Sequence, residues 1–399
     1  MNVLIFTDAI FIDHRGGSSR IPWESALYLA KAGHRVSILT RAYGSSAPFE
    51  DHHGIFIHRY KASPRQPLRS LWRGWLRARS LRGDVDVIHI HHPYAGLIAN
   101  LCPRFRRIPQ LYFFHSPWAE EYKIRCQFHR LSSLVGCFGG AVRSSIEHAV
   151  LRRAGRIVVL SQFMSNLLQG HHRIPADRIS RIAGSPDPTV FRRSLSVAEA
   201  RRRLGYGESP VILFTIRNLE PRMGLENLIG AMPFILSRYP DTRLTIGGTG
   251  TLERFLRNNI DALAIGKNVT LLGAIPTDQA LALHYQAADA FVLPTRQLEG
   301  FGLVTVEALS CGCPVIATQV GATPEILKPL DTRFIITGTS PQDISRVILD
   351  FISQRSEWPA LRKRCEEYAA ARFGDNRFHR DVEALSASFL ETAPAKGGA

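Results

Sequence analysis

The stretch Glu299-Gly-Phe-Gly-Leu-Val-Thr-Val-Glu307, continued by Ala308-Leu-Ser-Cys-Gly-Cys-Pro-Val-Ile-Ala317, is the most informative part of this sequence. Gly300 and Gly302 predict a sharp turn at which backbone amides can approach a ligand closely. A helix that ends near Gly312 and then a buried strand are expected after this turn. The two glutamates are eight residues apart, a little over two turns of a helix, so both carboxylates can face one elongated polar ligand. A sugar joined to a ribose by a diphosphate has that shape.

Short β-branched or aromatic runs alternate with segments of helical length, and the series occurs twice. The first series consists of residues 3–6, 36–39, 55–58, 87–90, 111–114 and 157–160. The second series consists of residues 211–216, 244–246, 269–272, 290–293 and 315–317. Such alternation is typical of parallel sheets that helices cover on both faces. The sequence therefore predicts an α/β protein with two doubly wound, Rossmann-like domains.

The chain length agrees with this duplicated architecture, because 399 residues exceed the usual size of one domain. We expect an N-terminal domain over residues 1–190 and a second domain over residues 191–372. Residues 192–207 read as a linker with a short helix. Residues 373–399 are expected to form a helix that returns to the N-terminal domain, followed by a frayed tail.

The composition argues against several classes of protein. No apolar run reaches the roughly 20 residues that a membrane-spanning helix needs. The six cysteines have neither zinc-site nor disulfide-framework spacing. Residues 1–8 lack the basic lead of a signal peptide and are interpreted as a first strand. We therefore expect a cytoplasmic protein with free thiols and no metal site.

Positive charge is concentrated in the first half of the chain. Residues 1–190 carry 26 Lys and Arg against 12 Asp and Glu, a net charge of +14, whereas residues 191–399 carry 24 against 22, a net charge of +2. The first half is therefore expected to meet an acidic partner: a membrane surface, a phosphate-bearing acceptor or nucleic acid.

The segment from Leu68 to Arg82 is a basic amphipathic stripe. It lies within residues 64–83, which hold six arginines and no acidic residue. Its apolar residues share one face of a predicted helix: Leu68, Leu71, Trp72, Trp75 and Leu76. Two interpretations remain open, a helix packed on the sheet of its own domain or an interfacial helix on an anionic membrane. The number of arginines slightly favours the inner face of a membrane.

Three polar loops follow predicted strands: Gly16-Gly17, Arg217-Asn-Leu-Glu-Pro-Arg-Met-Gly224 and Ile246-Gly-Gly-Thr-Gly250. Each can be a simple turn or, for Arg217 and Arg222, a pair of surface arginines. For the two arginines, the position after the first strand of the second domain favours a binding function. Amides at helix N-termini and the planar forks of arginine both suit a diphosphate.

Together these segments resemble the family 4 glycosyltransferases, whose GT-B fold consists of two facing Rossmann-like domains. Residues 294–307, followed by residues 321–327, match the strongest signature of the family. His115-Ser-Pro-Trp118 resembles the segment that carries the family's active-site histidine. Residues 183–191 resemble the segment at the end of its first domain, and residues 246–250 match its Gly-x-Gly element.

The resemblance implies roles for particular residues. Glu299 and Glu307 would bind the sugar and ribose hydroxyls of the donor, and His115 would lie across the cleft, near the attacking hydroxyl. Arg217 and Arg222 would neutralise the diphosphate. The other positions that it assigns to donor binding are Gly16, Gly17, Gly248, Gly250, Phe301, Gly302 and Leu303. The reaction would retain the anomeric configuration and need neither metal nor cofactor, the co-substrate being a UDP- or GDP-linked sugar.

The chain departs from the family pattern at two places. In the usual Arg-Leu-x-x-x-Lys-Gly motif, the arginine aligns with Asn218 and the lysine with Met223. The charges here lie one position earlier, at Arg217 and Arg222, as in the variant of the motif that has Arg-Met-Gly in place of Lys-Gly. Ser19 stands where many relatives carry a glutamate, which bears on acceptor choice.

The sequence is best interpreted as a retaining glycosyltransferase that acts on an acceptor glycan or lipid-linked acceptor in glycan, polysaccharide or glycolipid assembly. A sugar-nucleotide epimerase of the same fold remains an open alternative. A nucleic-acid-binding protein is disfavoured because nothing resembles a recognition helix or an RNA-binding motif. A dinucleotide oxidoreductase is disfavoured because no Gly-x-Gly-x-x-Gly follows the first strand.

Overall fold

The computed structural model of this chain describes residues 1–14, 16–128, 133–207 and 211–392. The described residues fold as two compact units. The first comprises Met1–Ala183 together with the chain from Phe378 onward, and the second comprises Gly184–Arg377. The tail predicted after residue 392 lies outside the described residues.

The first unit is built on a mostly parallel sheet. Its strands are β1 (Asn2–Phe6), β2 (Arg35–Arg41), β3 (Phe49–His52), β4 (Ile55–Tyr60), β5 (Val87–Ile90), β6 (Gln110–Phe113), β7 (Arg156–Val159) and β8 (Ile179–Arg181). Among the described residues their order is β3-β4-β2-β1-β5-β6-β7-β8, and β3 pairs with β4 in antiparallel fashion. Because the strand order reverses between β1 and β5, their carboxyl ends flank a position where ligands bind in doubly wound folds.

Helices connect the strands of the first unit. They are α1 (Gly17–Lys31), α2 (Pro67–Ser80), α3 (Pro93–Leu101), α4 (Trp118–Phe128), α5 (Ser133–Arg153) and α6 (Gln162–His172). None of the helices in the described ranges is both long and apolar enough to cross a membrane.

The second unit is built on a parallel sheet. Its strands are β9 (Ile212–Ile216), β10 (Arg243–Gly247), β11 (Val269–Gly273), β12 (Ala290–Leu293), β13 (Val315–Thr318) and β14 (Ile335–Ile336), in the order β11-β10-β9-β12-β13-β14. Its helices are α7 (Val197–Leu204), α8 (Leu225–Leu236), α9 (Glu253–Ala262), α10 (Asp278–Ala287), α11 (Leu303–Ser310), α12 (Thr323–Leu327), α13 (Pro341–Ser353) and α14 (Trp358–Phe373).

Helix α7 belongs to the body of the second unit, although its surroundings in the sequence read as a linker. Arg201 on this helix is buried, and its Nη2 donates a hydrogen bond to Oδ2 of Asp289 at 2.6 Å. Its Nε donates to the carbonyl oxygen of Ala287 at 3.0 Å. These contacts tie α7 to the end of α10 and the start of β12.

The last described helix, α15 (Arg377–Thr392), packs on the first unit. Nε2 of His34 lies 2.7 Å from Oε1 of Glu383. Nε2 of His89 lies 2.9 Å from Oγ of Ser386, and both residues are buried. Helix α15 therefore belongs to the first unit although its sequence follows the second.

The structure confirms the predicted fold class. Each predicted apolar run overlaps a strand, and residues 87–90 and 290–293 coincide with β5 and β12 from end to end. Both strands are buried at every position, which is why their sequences are apolar apart from His89. Strands β3, β8 and β14 were not predicted. All three are edge strands, and they are short, at two to four residues.

Candidate active site

The donor-site residues predicted in the second unit lie at the carboxyl edge of its sheet. Because the strands are parallel, the loops after β9, β10 and β12 emerge at one edge. The loop after β9 carries Arg217 and Arg222. The loop after β10 carries Gly248 and Gly250, and the loop after β12 carries Glu299. The structure thus brings these five residues to one side of the unit.

The carboxylate of Glu299 is almost enclosed, with only 6% of the residue exposed. Its Oε2 accepts hydrogen bonds from Nη2 of Arg217 at 2.7 Å and from Oγ1 of Thr295 at 3.0 Å. Its backbone carbonyl accepts from the N–H of Ala322 at 2.9 Å. Glu299 is therefore held by its own loop and by the loops after β9 and β13. Sequence reasoning missed Thr295, because an isolated threonine after a strand carries no distinctive signal.

Gly248 has a packing role in addition to the binding role predicted for it. Its φ is +120°, and a Cβ at this position would lie 1.8 Å from the carbonyl oxygen of Arg217. A Cβ at Gly250 would lie 2.5 Å from the carbonyl oxygen of Leu219. Only glycine permits this close approach, so both residues help to fix the loop that carries Arg217.

The turn before α11 places a helix N-terminus next to Glu299. Gly302 precedes the helix with φ +81°, a backbone conformation that favours glycine. Phe301 is buried and packs edge-on against Phe373, with 6.0 Å between the ring centroids. Leu303 is the first residue of α11. The N–H groups at the start of this helix favour an anion or a hydrogen-bond acceptor.

Glu307 lies on α11, as the spacing of the two glutamates suggested, and is only 2% exposed. Its Oε2 accepts a hydrogen bond from the hydroxyl of Tyr285 at 3.0 Å. Tyr285 lies on α10 and is fully buried. Sequence reasoning missed Tyr285, because a tyrosine among apolar helix residues gives no sign of a polar partner on another helix.

Arg222 supports the residue that precedes Glu299. It lies on a one-turn helix, Pro221–Met223, and its Nη1 donates a hydrogen bond to the carbonyl oxygen of Leu298 at 2.8 Å. Leu298 has a φ of 60°, which is uncommon and strained for a leucine. The β9 loop therefore helps to hold an unusual backbone conformation directly beside the candidate catalytic glutamate.

His115 lies at the carboxyl edge of the first sheet, just after β6, and is half-buried. Its Nε2 is 3.2 Å from Nδ1 of His91, which follows β5. Burial lowers the pKa of His115 to about 4, with a smaller contribution from His92. His115 is therefore neutral at physiological pH, and it offers a hydrogen-bonding imidazole rather than a cation.

A charged cluster lies beside these histidines. Oδ2 of Asp8, after β1, is 3.2 Å from Nδ1 of His92 and is also paired with Arg41 at the end of β2. Local sequence could not group the aspartate and the arginine with the histidines, because they come from two other strands.

Gly16 and Gly17 lie at the start of α1, Gly16 as its N-cap and Gly17 as its first residue. The hydroxyl of Ser19 donates to the carbonyl oxygens of His14 at 2.6 Å and of Gly16 at 2.8 Å. This loop follows β1 and so belongs to the same sheet edge as His115. The predicted site residues therefore form two groups, one on each unit.

Two family profiles match most of the chain. Residues 15–188 match Glycosyltransferase Family 4, and residues 196–372 match Glycosyl transferases group 1. The boundary between the two matches lies close to the boundary between the two structural units.

Named relatives are similar over different lengths. The GDP-mannose-dependent alpha-(1-6)-phosphatidylinositol monomannoside mannosyltransferase of Mycolicibacterium smegmatis is 32% identical over 188 residues, which are 46% of this chain and 47% of that protein. The D-inositol 3-phosphate glycosyltransferase 1 of Catenulispora acidiphila is 28% identical over 377 residues, which are 89% of this chain and 87% of that protein. The match thus spans about half the length of the first relative and most of the second.

A solved structure shows the same fold. Sucrose-phosphate synthase from Thermosynechococcus elongatus aligns with a TM-score of 0.84 at 21% identity, covering 98% of this chain and 99% of that one. At this identity the likeness concerns the fold, two Rossmann-like domains of the GT-B type.

Proposed function

Because this chain belongs to the family 4 glycosyltransferases of the GT-B fold, we propose that it moves a sugar from a UDP- or GDP-linked donor to an acceptor hydroxyl with retention of configuration. The observation that carries the proposal is the arrangement of Glu299 and Glu307. One lies in the loop before α11 and the other on α11, so two buried carboxylates flank a helix N-terminus. A nucleotide-sugar presents hydroxyls at both ends and an anion between them.

The chemistry of each group supports this assignment. Ionised carboxylates only accept hydrogen bonds, which suits Glu299 to sugar hydroxyls and Glu307 to ribose hydroxyls. The leaving diphosphate gains negative charge, and in this proposal Arg222 and the amides of Gly302 and Leu303 stabilise it. His115, with its pKa of about 4, suits a neutral hydrogen-bonding role toward the acceptor or the sugar.

A phosphate-bearing polyol or glycolipid is the acceptor class that we propose. The two named relatives are described as acting on D-inositol 3-phosphate and on a phosphatidylinositol monomannoside. The net charge of +14 over residues 1–190 favours an acceptor of this kind. Nucleic acid is not part of the proposal.

Product analysis with and without an acceptor tests this function. The protein is incubated with UDP- and GDP-sugars, alone or with inositol 3-phosphate or phosphatidylinositol monomannoside. We expect a product one sugar heavier by mass spectrometry, and only when an acceptor is present. Conversion of a donor into its epimer without an acceptor would instead support the epimerase.

Activity is expected to survive chelation by EDTA, because the proposed site neutralises the diphosphate with arginine and amides. The chain has an Asp-x-Asp triplet at Asp84 and Asp86. Oδ2 of Asp86 accepts from the N–H of Asn2 at 2.8 Å, at the start of β1 and so at the sheet edge opposite His115. Loss of all activity with EDTA, restored by Mn²⁺ or Mg²⁺, would contradict the metal-independent mechanism.

Helix α2 packs on its domain through small residues, not through its apolar stripe. Ser70, Gly74 and Ala78 are buried, and a Cβ at Gly74 would lie 2.5 Å from Cδ1 of Ile98. The helix therefore packs on its own domain, as one of the two interpretations held, but the apolar stripe does not form the packing face. Within the stripe, Leu71 and Trp75 are half-buried, and Nε1 of Trp75 donates to the carbonyl oxygen of a residue on α3 at 3.2 Å.

The outward face of α2 is apolar and bordered by arginine. Leu68 is 80% exposed, Trp72 is 58% exposed and Leu76 is 45% exposed. Arg69 and Arg73 are exposed beside them. An exposed apolar stripe between arginines is typical of a helix that lies in the interface of an anionic membrane. We propose that α2 holds the enzyme on such a surface at the cytoplasmic side.

Wild-type protein is expected to co-sediment with vesicles that contain anionic phospholipid, and salt should weaken this binding, since each arginine near the surface adds about 1 kcal/mol. The double variant Leu68→Ser/Trp72→Ser should bind about 10²-fold more weakly, because it no longer buries two large apolar side chains. Its melting temperature should stay close to the wild-type value, since both side chains are exposed.

Phe255→Ser is the matched control, since Phe255 is 49% exposed on the second unit, far in sequence from α2. This variant should keep wild-type vesicle binding. Absence of vesicle binding by the wild type would contradict the membrane proposal. If Phe255→Ser weakened vesicle binding as much as the double variant does, the binding could not be assigned to α2.

A further inference from the structure

The guanidinium group of Arg217 is committed to neighbouring side chains. Its Nη2 lies 2.7 Å from Oε2 of Glu299, 3.3 Å from Oγ1 of Thr295 and 2.8 Å from Sδ of Met223. The side chains of Arg217 and Glu299 are each 8% exposed. A buried pair of this kind is held firmly, because separating it would leave two unpaired charges out of water.

This pairing fits poorly with the diphosphate role that the sequence suggested for Arg217. A guanidinium that neutralises a buried carboxylate at 2.7 Å adds little positive potential for a second anion. Met223, which aligns with the lysine of the usual motif, is 5% exposed and carries no charge. The positive charge that lies next to Met223 is therefore that of Arg217, whose guanidinium group donates to Glu299.

The contacts of the Glu299 carboxylate are one-sided. Within the described ranges, its side-chain hydrogen bonds, from Arg217 and Thr295, both go to Oε2. Oε1 is the oxygen left for a ligand. A carboxylate anchored through one oxygen keeps the other in a defined position, which is the property that a group binding sugar hydroxyls requires.

We propose that Arg217 is a positioning residue for Glu299, rather than a ligand of the donor diphosphate. It anchors Oε2, with Thr295 as a second support, and so directs Oε1 toward the donor sugar. This role rests on the proposed function, because it presumes that Glu299 binds the sugar of a nucleotide-linked donor.

The experiment compares Arg217→Met, Arg217→Lys, Glu299→Gln and the double variant Arg217→Met/Glu299→Gln. Steady-state kinetics gives kcat and the KM for the donor, and calorimetry gives the Kd for UDP and GDP. Arg217→Met should lower kcat about 10²-fold, the scale of a small misplacement of a catalytic group. The Kd of the nucleoside diphosphate that binds should stay within about threefold of the wild-type value, since uniform binding is preserved.

Two further results separate positioning from a general structural effect. Arg217→Lys should recover kcat to within about tenfold of the wild-type value, because an ammonium can still reach Oε2 but lacks the fork of arginine. The double variant should be no slower than Glu299→Gln alone, because both changes act through one carboxylate. Arg296→Met is the control, since Arg296 lies in the same loop, is 47% exposed and pairs with Glu226 instead.

The opposite pattern would overturn the proposal. If Arg217→Met raised the Kd for the nucleoside diphosphate about tenfold or more while kcat at saturating donor stayed normal, Arg217 would be a diphosphate ligand. The proposal would also be rejected if the loss of kcat in the double variant equalled the product of the losses in the two single variants. If melting curves show that Arg217→Met does not fold, the same comparison of kcat and Kd is made with Arg217→Lys and with the double variant Arg217→Lys/Glu299→Gln. A wild-type protein that transfers no sugar would fail the proposed function itself, and this role with it.

Discussion

Replacing Glu299 by alanine is expected to lower kcat by about two to three orders of magnitude, the scale seen when a group aimed at the reacting centre is removed. The variant would lack the hydrogen bonds that the carboxylate makes to the donor sugar, and these matter most as the glycosidic bond breaks. The Kd of the nucleoside diphosphate should change far less, because Glu299 faces the sugar in this account.

The change should also destabilise the second unit. Arg217 would be left buried without its carboxylate, and breaking a buried pair in this way costs about 3–5 kcal/mol. Glu299→Gln should destabilise the unit less than Glu299→Ala, since it keeps the shape of the side chain and an oxygen that can accept from Arg217, although it also removes the charge. Glu253→Ala is a suitable control, because Glu253 is partly exposed on α9 and pairs with Arg257 one turn away. Normal turnover by Glu299→Ala with every donor that binds would show that the site is misassigned.

Replacing Glu307 by alanine is expected to weaken nucleotide binding by about 1–3 kcal/mol, the range for hydrogen bonds to a charged group. This corresponds to a roughly 5- to 150-fold higher Kd. The loss should be similar for the nucleotide-sugar and for the free nucleoside diphosphate, because the ribose is common to both. At saturating donor, turnover should approach the wild-type value.

Tyr285→Phe provides the matched comparison. It removes only the hydroxyl that donates to Oε2 of Glu307 at 3.0 Å and leaves the packing of the ring in place. Its effect on the Kd should be in the same direction as that of Glu307→Ala but smaller. Unchanged affinity for both the nucleoside diphosphate and the nucleotide-sugar in Glu307→Ala would remove Glu307 from the ribose site.

The interior strands could be predicted from sequence because burial on both faces leaves mostly apolar runs. Strand β3 could not, since Glu50, Asp51 and His52 make a polar edge strand that exists only through pairing with β4. Its turn places His53 at φ 52° and Gly54 at φ +81°, and the histidine in that turn hides the hairpin signal.

The apolar periodicity of α2 was predicted correctly, but the periodicity could not show which face meets the protein. Gly74 lies against Ile98 and Tyr60, with room for no side chain. Packing through glycine leaves the larger residues outside, and the apolar stripe of Leu68 and Trp72 is therefore a surface. Only the tertiary partners of α2 decide between these arrangements.

In the candidate site, too, local features could be predicted from the sequence and long-range contacts could not. The spacing of the two glutamates and the helix after Gly302 could be predicted from local sequence. The partners of the carboxylates could not, because Arg217 reaches Glu299 across 82 positions and Tyr285 reaches Glu307 across 22. The role that we propose for Arg217 follows from this long-range contact, and sequence comparison with the usual motif suggested a different one.

The central claim is that the chain transfers a sugar from a nucleotide-linked donor with retention of configuration. The most direct test is an NMR measurement of the anomeric configuration of the first product formed from the donor and an acceptor that is turned over. Our account predicts that the transferred sugar keeps the configuration that it had in the donor. A product of inverted configuration, or turnover of the donor into an epimer with no acceptor consumed, would contradict it.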